Sequence, residues 1–462
     1  MSEPSATDRA PGLVRGLSAW DGALVTIGSV LGSGVFLTTG SIARLVPHES
    51  LILLLWAAGG LVTLAGALTY AELGALYPRA GGQYEFLKVA YGPLWGFLFG
   101  WAAFLVIMSG GIATLAVGFG EYFGVFVPFF STRNGLFSLP LGPFVWTVSG
   151  GQLAGAVAIV VLTVINYVGL KEGAFVQNVV TLAKVGSLVG LGAFGLLASS
   201  EVSPNFARPL PGPVLPAALG VAMVAVFWSY DGWYAITNLA GEMRRPERDL
   251  PIAIVTGTLA VTLLYVLMNV VYLRALPVSA IGGSDRIGEA AASALFGPLG
   301  GRLISAAVLV STFGCISSTI LYAARIYLPM AQDGLFFARL AQIHPRFQTP
   351  GACLIGQGLW AVVLSFSGSY EQLYTYVVFA VVLFHAMTGA AVIVLRRREP
   401  ERPRPYSTWG YPWVPLVFVV SSAALVVNTL LQKPLESGIG LFLILLGLPA
   451  YAHWRWASRN RS

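Results

Sequence analysis

The stretch Gly28-Ser-Val-Leu-Gly-Ser-Gly34, followed at once by Val35-Phe36, decides how this chain is read. It lies inside an apolar run from Trp20 to Val46 whose only charges are Asp21 near the start and Arg44 near the end. A glycine in a helix interior costs about 1 kcal/mol against alanine. Hydrocarbon also tolerates no unpaired backbone amide, so irregular backbone at membrane depth survives only where it lines a protein cavity. The cluster therefore marks an interrupted helix. The interruption frees carbonyls at the end of one half-helix and amides at the start of the next, ends that attract a cationic and an anionic group respectively. Two other readings compete. Gly28 and Gly32 form a GxxxG pair suited to helix packing. A dinucleotide-binding loop would need a preceding strand and a βαβ unit, and the sequence supplies neither.

The 462 residues are 56% hydrophobic and 10% charged, with a mean hydropathy of +0.75. Soluble chains carry about 25% charged residues, so this is an all-α polytopic membrane protein. Twelve spans of membrane-crossing length fall at 20–46, 50–77, 91–127, 147–168, 174–199, 214–241, 252–275, 300–327, 350–368, 372–396, 412–432 and 438–455. They divide the chain into a tail (1–19), a first five-helix unit (20–199), a second (214–396), helices 11 and 12 (412–455) and a short tail (456–462). Residues 1–19 lack an apolar h-region, so no cleaved signal peptide is expected.

The net charge of +7 raises nucleic-acid binding, but its placement argues for topology. Arg79, Lys88, Arg244, Arg245, Arg248, Arg396-Arg397-Arg398, Arg402 and Arg404 all fall on one side of the predicted spans. By the positive-inside bias that side is cytoplasmic, and both termini lie there. Cys315 and Cys353 fall in predicted spans and the four histidines form no cluster, so neither a disulfide framework nor a metal site is expected.

Along the chain, Glu72 in Tyr70-Ala-Glu-Leu-Gly74 reads as a paired carboxylate near a helix end, with proton coupling as the alternative. The span at 91–127 is long and glycine-rich, and a loop without cysteine follows at 128–146. Lys184 sits about ten residues into its helix, roughly 15 Å deep, where a lysine marks a functional site unless a carboxylate pairs it for packing. A second break appears in Phe227-Trp-Ser-Tyr-Asp-Gly-Trp233, where Asp231 is placed to cap the following half-helix. Five spans run from the first break and five from the second. An odd repeat inverts the second unit relative to the first, and two broken helices at matching positions point to a binding site between them.

These stretches together resemble the L-type amino acid transporter family of the amino acid–polyamine–organocation superfamily. The resemblance is carried by Gly32-Ser-Gly-Val-Phe36, Tyr70-Ala-Glu-Leu-Gly74, Lys184 and Tyr230-Asp-Gly-Trp233, and by Phe313-Gly314, Ser318, Arg325, Arg402-Pro-Arg-Pro-Tyr406 and Gly410-Tyr-Pro412. It implies a leucine-transporter-type fold, a 5+5 inverted repeat of twelve helices with the first and sixth broken. It implies sodium-independent exchange or facilitated transport of neutral L-amino acids by alternating access, without cofactor, across the plasma (inner) membrane. Amides of Gly32, Ser33 and Gly34 would take the substrate carboxylate, and carbonyls near Val30, Trp228 and Asp231 the amine. Trp228 matches the gating aromatic, and Val106, Ile107 and Gly110 would face the substrate side chain. Lys184 would stand where other carriers of this fold hold sodium. The cysteine that joins animal members to a single-span partner is missing from the 128–146 loop, so no disulfide-linked heavy subunit is expected.

The rivals are a proton-coupled symporter, a carrier of cationic amino acids or amines, and a sensor that binds without transporting. An intramembrane enzyme would need paired carboxylates, a metal set or a Ser/His pair within the spans, and none is present. Because free helix ends recognise charge, both α-groups of the substrate are required. An amino acid amide or N-acetyl amino acid is expected to compete at least tenfold more weakly than the parent in a liposome uptake assay.

Overall fold

A computed structural model describes residues 16–141, 144–169, 173–199 and 215–459, with 202, 204 and 206 in the connection between. Residues 1–15 of the predicted N-terminal tail (1–19), 460–462 of the C-terminal tail (456–462) and most of the loop Gly169–Gly173 lie outside these residues.

Ser18 and Asp21 form a reciprocal capping box that starts α1 (Ala19–Val30). The chain then breaks as expected, and α2 (Gly34–Leu45) leaves at 43° to α1. α3 (Glu49–Leu76) is followed by a short helix, α4 (Gln83–Tyr91). The long third span is α5 (Pro93–Ala102) and α6 (Met108–Phe126), joined by a π-helical turn at Ala103–Ile107.

The connection that follows corrects the all-α expectation. Strands β1 (Gly135–Leu141) and β2 (Phe144–Ser149) form an antiparallel hairpin, with Ser138 opposite Thr147 and their hydroxyls 3.0 Å apart. The segment Phe144-Val-Trp-Thr-Val-Ser149 is rich in β-branched and aromatic residues at alternating positions, and Trp146 anchors it by donating to the Phe366 carbonyl at 2.6 Å. The fourth helix, α7 (Gly150–Val168), accordingly starts later than predicted, on a Ser149–Gln152 capping box.

α8 (Gly173–Leu197) and α9 (Pro216–Tyr230) lead to the second break, after which α10 (Ala235–Asn238) is a single turn. α11 (Pro246–Ala275), α12 (Val278–Gly282) and α13 (Ile287–Gln332) follow, with α13 interrupted at Gly297, where φ is 76°. α14 (Gly351–Ser365), α15 (Tyr370–Arg398), α16 (Trp413–Gln432), α17 (Pro434–Leu445) and α18 (Gly447–Arg459) complete the chain. Among the described residues nine helical runs are long and apolar enough to cross a membrane, or ten with α1–α2 as one bent span. α9 and α14 are apolar but shorter. The broken helices sit centrally: α1 packs on α8, α11 and α13, and α2 packs on α9.

Ion pairs tie the loops to this bundle at one end. Glu72, 2% exposed, receives Arg396 in a bidentate pair (2.9 and 2.7 Å), the Thr408 amide at 2.7 Å, and Arg404 at 3.2 Å. The loop after α15 is thereby fastened to α3, which supports the paired-carboxylate reading of Glu72. Arg325 binds Glu242 at 2.7 Å, beside the point where Leu17 forms a β-bridge with Met243. In α4, burial disfavours the Lys88 ammonium. Its hydrogen bonds to Asp333 (2.7 Å) and Glu85 (2.6 Å) outweigh that and raise its pKa above the ordinary lysine value.

Removing one partner of a buried ion pair costs about 3–5 kcal/mol, since the other is left uncompensated. Glu72→Gln is therefore expected to lower the thermal unfolding midpoint of the purified protein clearly. Arg397→Gln, at an exposed neighbouring position, should leave it unchanged.

Candidate functional site

The first break exposes the last carbonyls of α1, and every one from Gly28 to Leu31 is met by a side chain from another helix. Lys184 Nζ of α8 donates to Gly28 O at 3.0 Å. From α13, Cys315 Sγ donates to Ser29 O at 2.9 Å and Ser311 Oγ to Leu31 O at 2.7 Å. Tyr265 of α11 reaches Val30 O at 3.0 Å. Without such donors, buried carbonyls at a helix end would be orphaned in a medium without water. Lys184 is 2% exposed and makes no ion pair among the described residues. The alternative of a lysine paired to a carboxylate for packing is not what these residues form.

The second break runs from Asp231 to Tyr234, with Gly232 at φ 99°. The expected cap is corrected here. Asp231 ends α9, its N–H donating to Trp228 O at 3.1 Å, while the N-cap of α10 is Tyr234, with no side-chain bond. An Asp-Gly pair reads equally well as a stop or a restart, and only the path of the chain decides which.

The two breaks touch. A Cβ on Gly34 would lie 2.7 Å from Ser229 Cα, and one on Gly232 would lie 2.8 Å from Ser29 O. Thr38 Oγ1 and Ser229 Oγ are 2.8 Å apart, and Tyr265 Oη reaches Ser229 O at 3.0 Å as well as Val30 O. These glycines are close-approach positions that no other residue fills without displacing backbone.

Between the breaks lies a cavity of about 30 Å³, room for one or two waters. Val30, Gly32, Gly34, Ile107, Trp228 and Asp231, all singled out from the sequence, line it. Ser33 does not line it; its hydroxyl lies 3.1 Å from Tyr370 Oη. Val106 and Gly110 are also off the lining, and a Cβ on Gly110 would face Val377. On the third span the lining is Ile107, as expected, with Met108, Gly111 and Leu115, and Cys315, Thr319 and Tyr322 of α13 complete it. The α13 residues recur at i, i+4 and i+7, a polar stripe inside an apolar span; that helical spacing is the signal by which the sequence could have revealed them. Tyr265 and Tyr370 carried no local signal, since each matters only through a distant backbone group.

Trp228 roofs the cavity, 6% exposed. It donates to Tyr370 Oη at 2.8 Å and stacks on Tyr374 with ring centroids 6.2 Å apart. Beyond Tyr370 a polar vestibule of about 780 Å³ opens, bordered by Arg44, Trp146 and Glu371. Among the described residues no group of three His, Cys, Asp or Glu side chains is arranged to hold a metal.

Residues 17–448 match the model of a family described as "Amino acid permease". The chain belongs to the amino acid permease family. The permease is 32% identical to the serine/threonine exchanger SteT of Bacillus subtilis (strain 168), over 92% of this chain and 94% of that protein. It is 30% identical to the human b(0,+)-type amino acid transporter 1, over 99% of this chain and 91% of that protein. Against the mouse large neutral amino acids transporter small subunit 2 it is 29% identical, over 92% and 78% respectively. The family expected from the motifs is borne out, and its members are amino acid transporters.

Gly34→Leu would drive a branched side chain into the Ser229 backbone. Uptake by this permease variant is expected to fall at least a hundredfold, while the amount of protein reaching the membrane stays within about twofold. Normal uptake would return Gly28–Gly34 to a helix-packing role.

Proposed function

We propose that this permease is a sodium-independent exchanger or facilitator of neutral L-amino acids, working by alternating access in the plasma (inner) membrane with both termini in the cytoplasm. The observation that carries the reading is Lys184 Nζ on the Gly28 carbonyl. A fixed ammonium at a freed carbonyl supplies the positive charge that a bound sodium ion would bring. A cation alongside would meet like-charge repulsion of several kcal/mol at an effective dielectric near 20.

Amides at the start of α2, from Gly32 to Gly34, take the substrate carboxylate, the Gly32 N–H being released for this from Val30 O, to which it donates at 2.7 Å. The amine goes to the carbonyls at the ends of α1 and α9, around Val30 and Trp228–Asp231. Tyr265 supports this. Its one hydroxyl proton faces two carbonyls, Val30 O and Ser229 O, and a hydroxyl has one proton to donate. Val30 O also receives the Gly32 N–H at 2.7 Å, so the acceptor capacity left for an ammonium centres on Ser229 O. Trp228, held by Tyr370, is the gate between cavity and vestibule. Counting α9 and α14 with the ten longer runs gives twelve spans, arranged as two inverted units of five (20–199 and 214–396) followed by two helices at 412–455. The loop at 128–146 contains no cysteine, so assembly with a heavy subunit through a disulfide there forms no part of the proposal.

One observation favours a second reading. Asp231 lines the cavity and makes no ion pair among the described residues, which suits a cationic side chain or a transported proton. Competition of neutral-amino-acid uptake by lysine or arginine, and by an imposed proton gradient, separates these.

Uptake into liposomes should be unchanged when choline replaces sodium, and Lys184→Ala should reduce it at least tenfold. Strong sodium dependence in the unaltered protein, or full activity of the alanine variant, would falsify the assignment of Lys184.

A further inference from the structure

The wall of the cavity on α6 is set by a feature outside the cavity. Ala103–Ile107 is a π-helical turn, closed by Met108 N–H donating to Ala103 O, a five-residue step. Such a turn inserts one residue into the helical ladder and rotates everything downstream by about 100° relative to an unbroken α-helix. The lining residues begin at the end of this turn: Ile107, then Met108, Gly111 and Leu115. Without the extra residue, the face carrying Val106 and Gly110 would occupy that position.

Two aromatic donors from separate helices hold the widened turn. Trp360 Nε1 of α14 donates to Leu105 O at 2.9 Å, and Tyr327 Oη of α13 to Ala103 O at 3.3 Å. Phe104, between those two carbonyls, packs edge-on against Tyr327 with ring centroids 5.3 Å apart. Neither Trp360 nor Tyr327 borders the cavity. The residue whose place depends most on this register is Gly111. It borders the cavity, and a Cβ built on it meets nothing within 4 Å. That open space is room for a substrate side chain. Gly110, one residue back, faces Val377 and offers none.

We propose that Trp360 and Tyr327 are positioning residues for substrate selectivity: by holding the π turn at Ala103–Ile107, they fix the register that presents Gly111 to the substrate side chain. The inference rests on the amino acid transport reading above. Trp360→Phe and Tyr327→Phe each remove one donor and keep an aromatic ring. With the register loosened, substrates that reach the Gly111 wall are affected and those without a side chain are not.

The test measures KM and maximal exchange rate in liposomes for glycine, alanine, serine, threonine, valine and leucine. For either variant, the ratio of kcat/KM between the preferred side-chain-bearing substrate and glycine should shift at least fivefold. That shift should lie mainly in KM, with glycine's own values within about twofold. Trp360→His, which retains a ring N–H, should restore part of the unaltered ratio. A uniform loss across all substrates, or an unchanged ratio in both variants, would overturn the proposal. So would failure of both to yield folded carrier, because the donors would then serve the fold alone. Gly111→Ala separates this inference from the reading beneath it. It should discriminate against the longer side chains directly. If it does so while both aromatic variants are silent, only the role of the π turn is wrong. If it too leaves the ratio unchanged, the cavity assignment itself fails.

Discussion

Carbonyls freed inside a membrane protein must find donors from the protein itself, and the centre of this structure is arranged around that need. Four consecutive carbonyls, Gly28 to Leu31, are met by Lys184, Cys315, Tyr265 and Ser311 from three other helices. Each donor is neutral except one. In a water-free interior an unpaired carbonyl costs several kcal/mol, so these contacts stabilise the break that the glycine cluster places after Val30. They also make the break a junction. A change in the tilt of α1 must move against α8, α11 and α13 together, or exchange these hydrogen bonds for others.

The same junction couples the two halves of the site. Gly34 lies on Ser229, Gly232 lies on the Ser29 carbonyl, and Tyr265 reaches a carbonyl on each side. The space between the breaks holds no more than one or two waters, so anything larger would enter only if they separated. The roof behaves as a matching element. Tyr370 receives the Trp228 indole and contacts Ser33, so one hydroxyl on α15 touches both breaks on the vestibule side. At the other end the contacts are ionic, Glu72 with Arg396 and Arg404, and Arg325 with Glu242. Polar contacts of this kind can be exchanged as units between two packed arrangements, whereas a continuous apolar core deforms poorly.

Two departures from the sequence reading have a common origin. The paired strands β1 and β2 and the π turn at Ala103–Ile107 are both irregularities that receive long-range hydrogen bonds, Trp146 to Phe366 O in one case and Trp360 to Leu105 O in the other. Periodicity describes a regular element and is silent where a distant donor stabilises an exception.

The sequence by itself determined the membrane class, the position of both breaks and the identity of the odd lysine. Each follows from a local property: apolar length, glycine against helix propensity, and a charge too deep to reach water. It also carried enough ordered motifs to reach the family. Only the tertiary structure decided which freed carbonyl Lys184 meets, that Asp231 closes α9 instead of opening α10, and that the α6 wall is Met108 and Gly111 where Val106 and Gly110 had been expected. It alone brought Tyr265 and Tyr370 to the breaks. The reason is the range of the forces. Hydrophobic patterning and backbone propensity act within a few residues, but a buried hydrogen bond is satisfied by whichever donor the fold brings within about 3 Å, however far along the chain it lies.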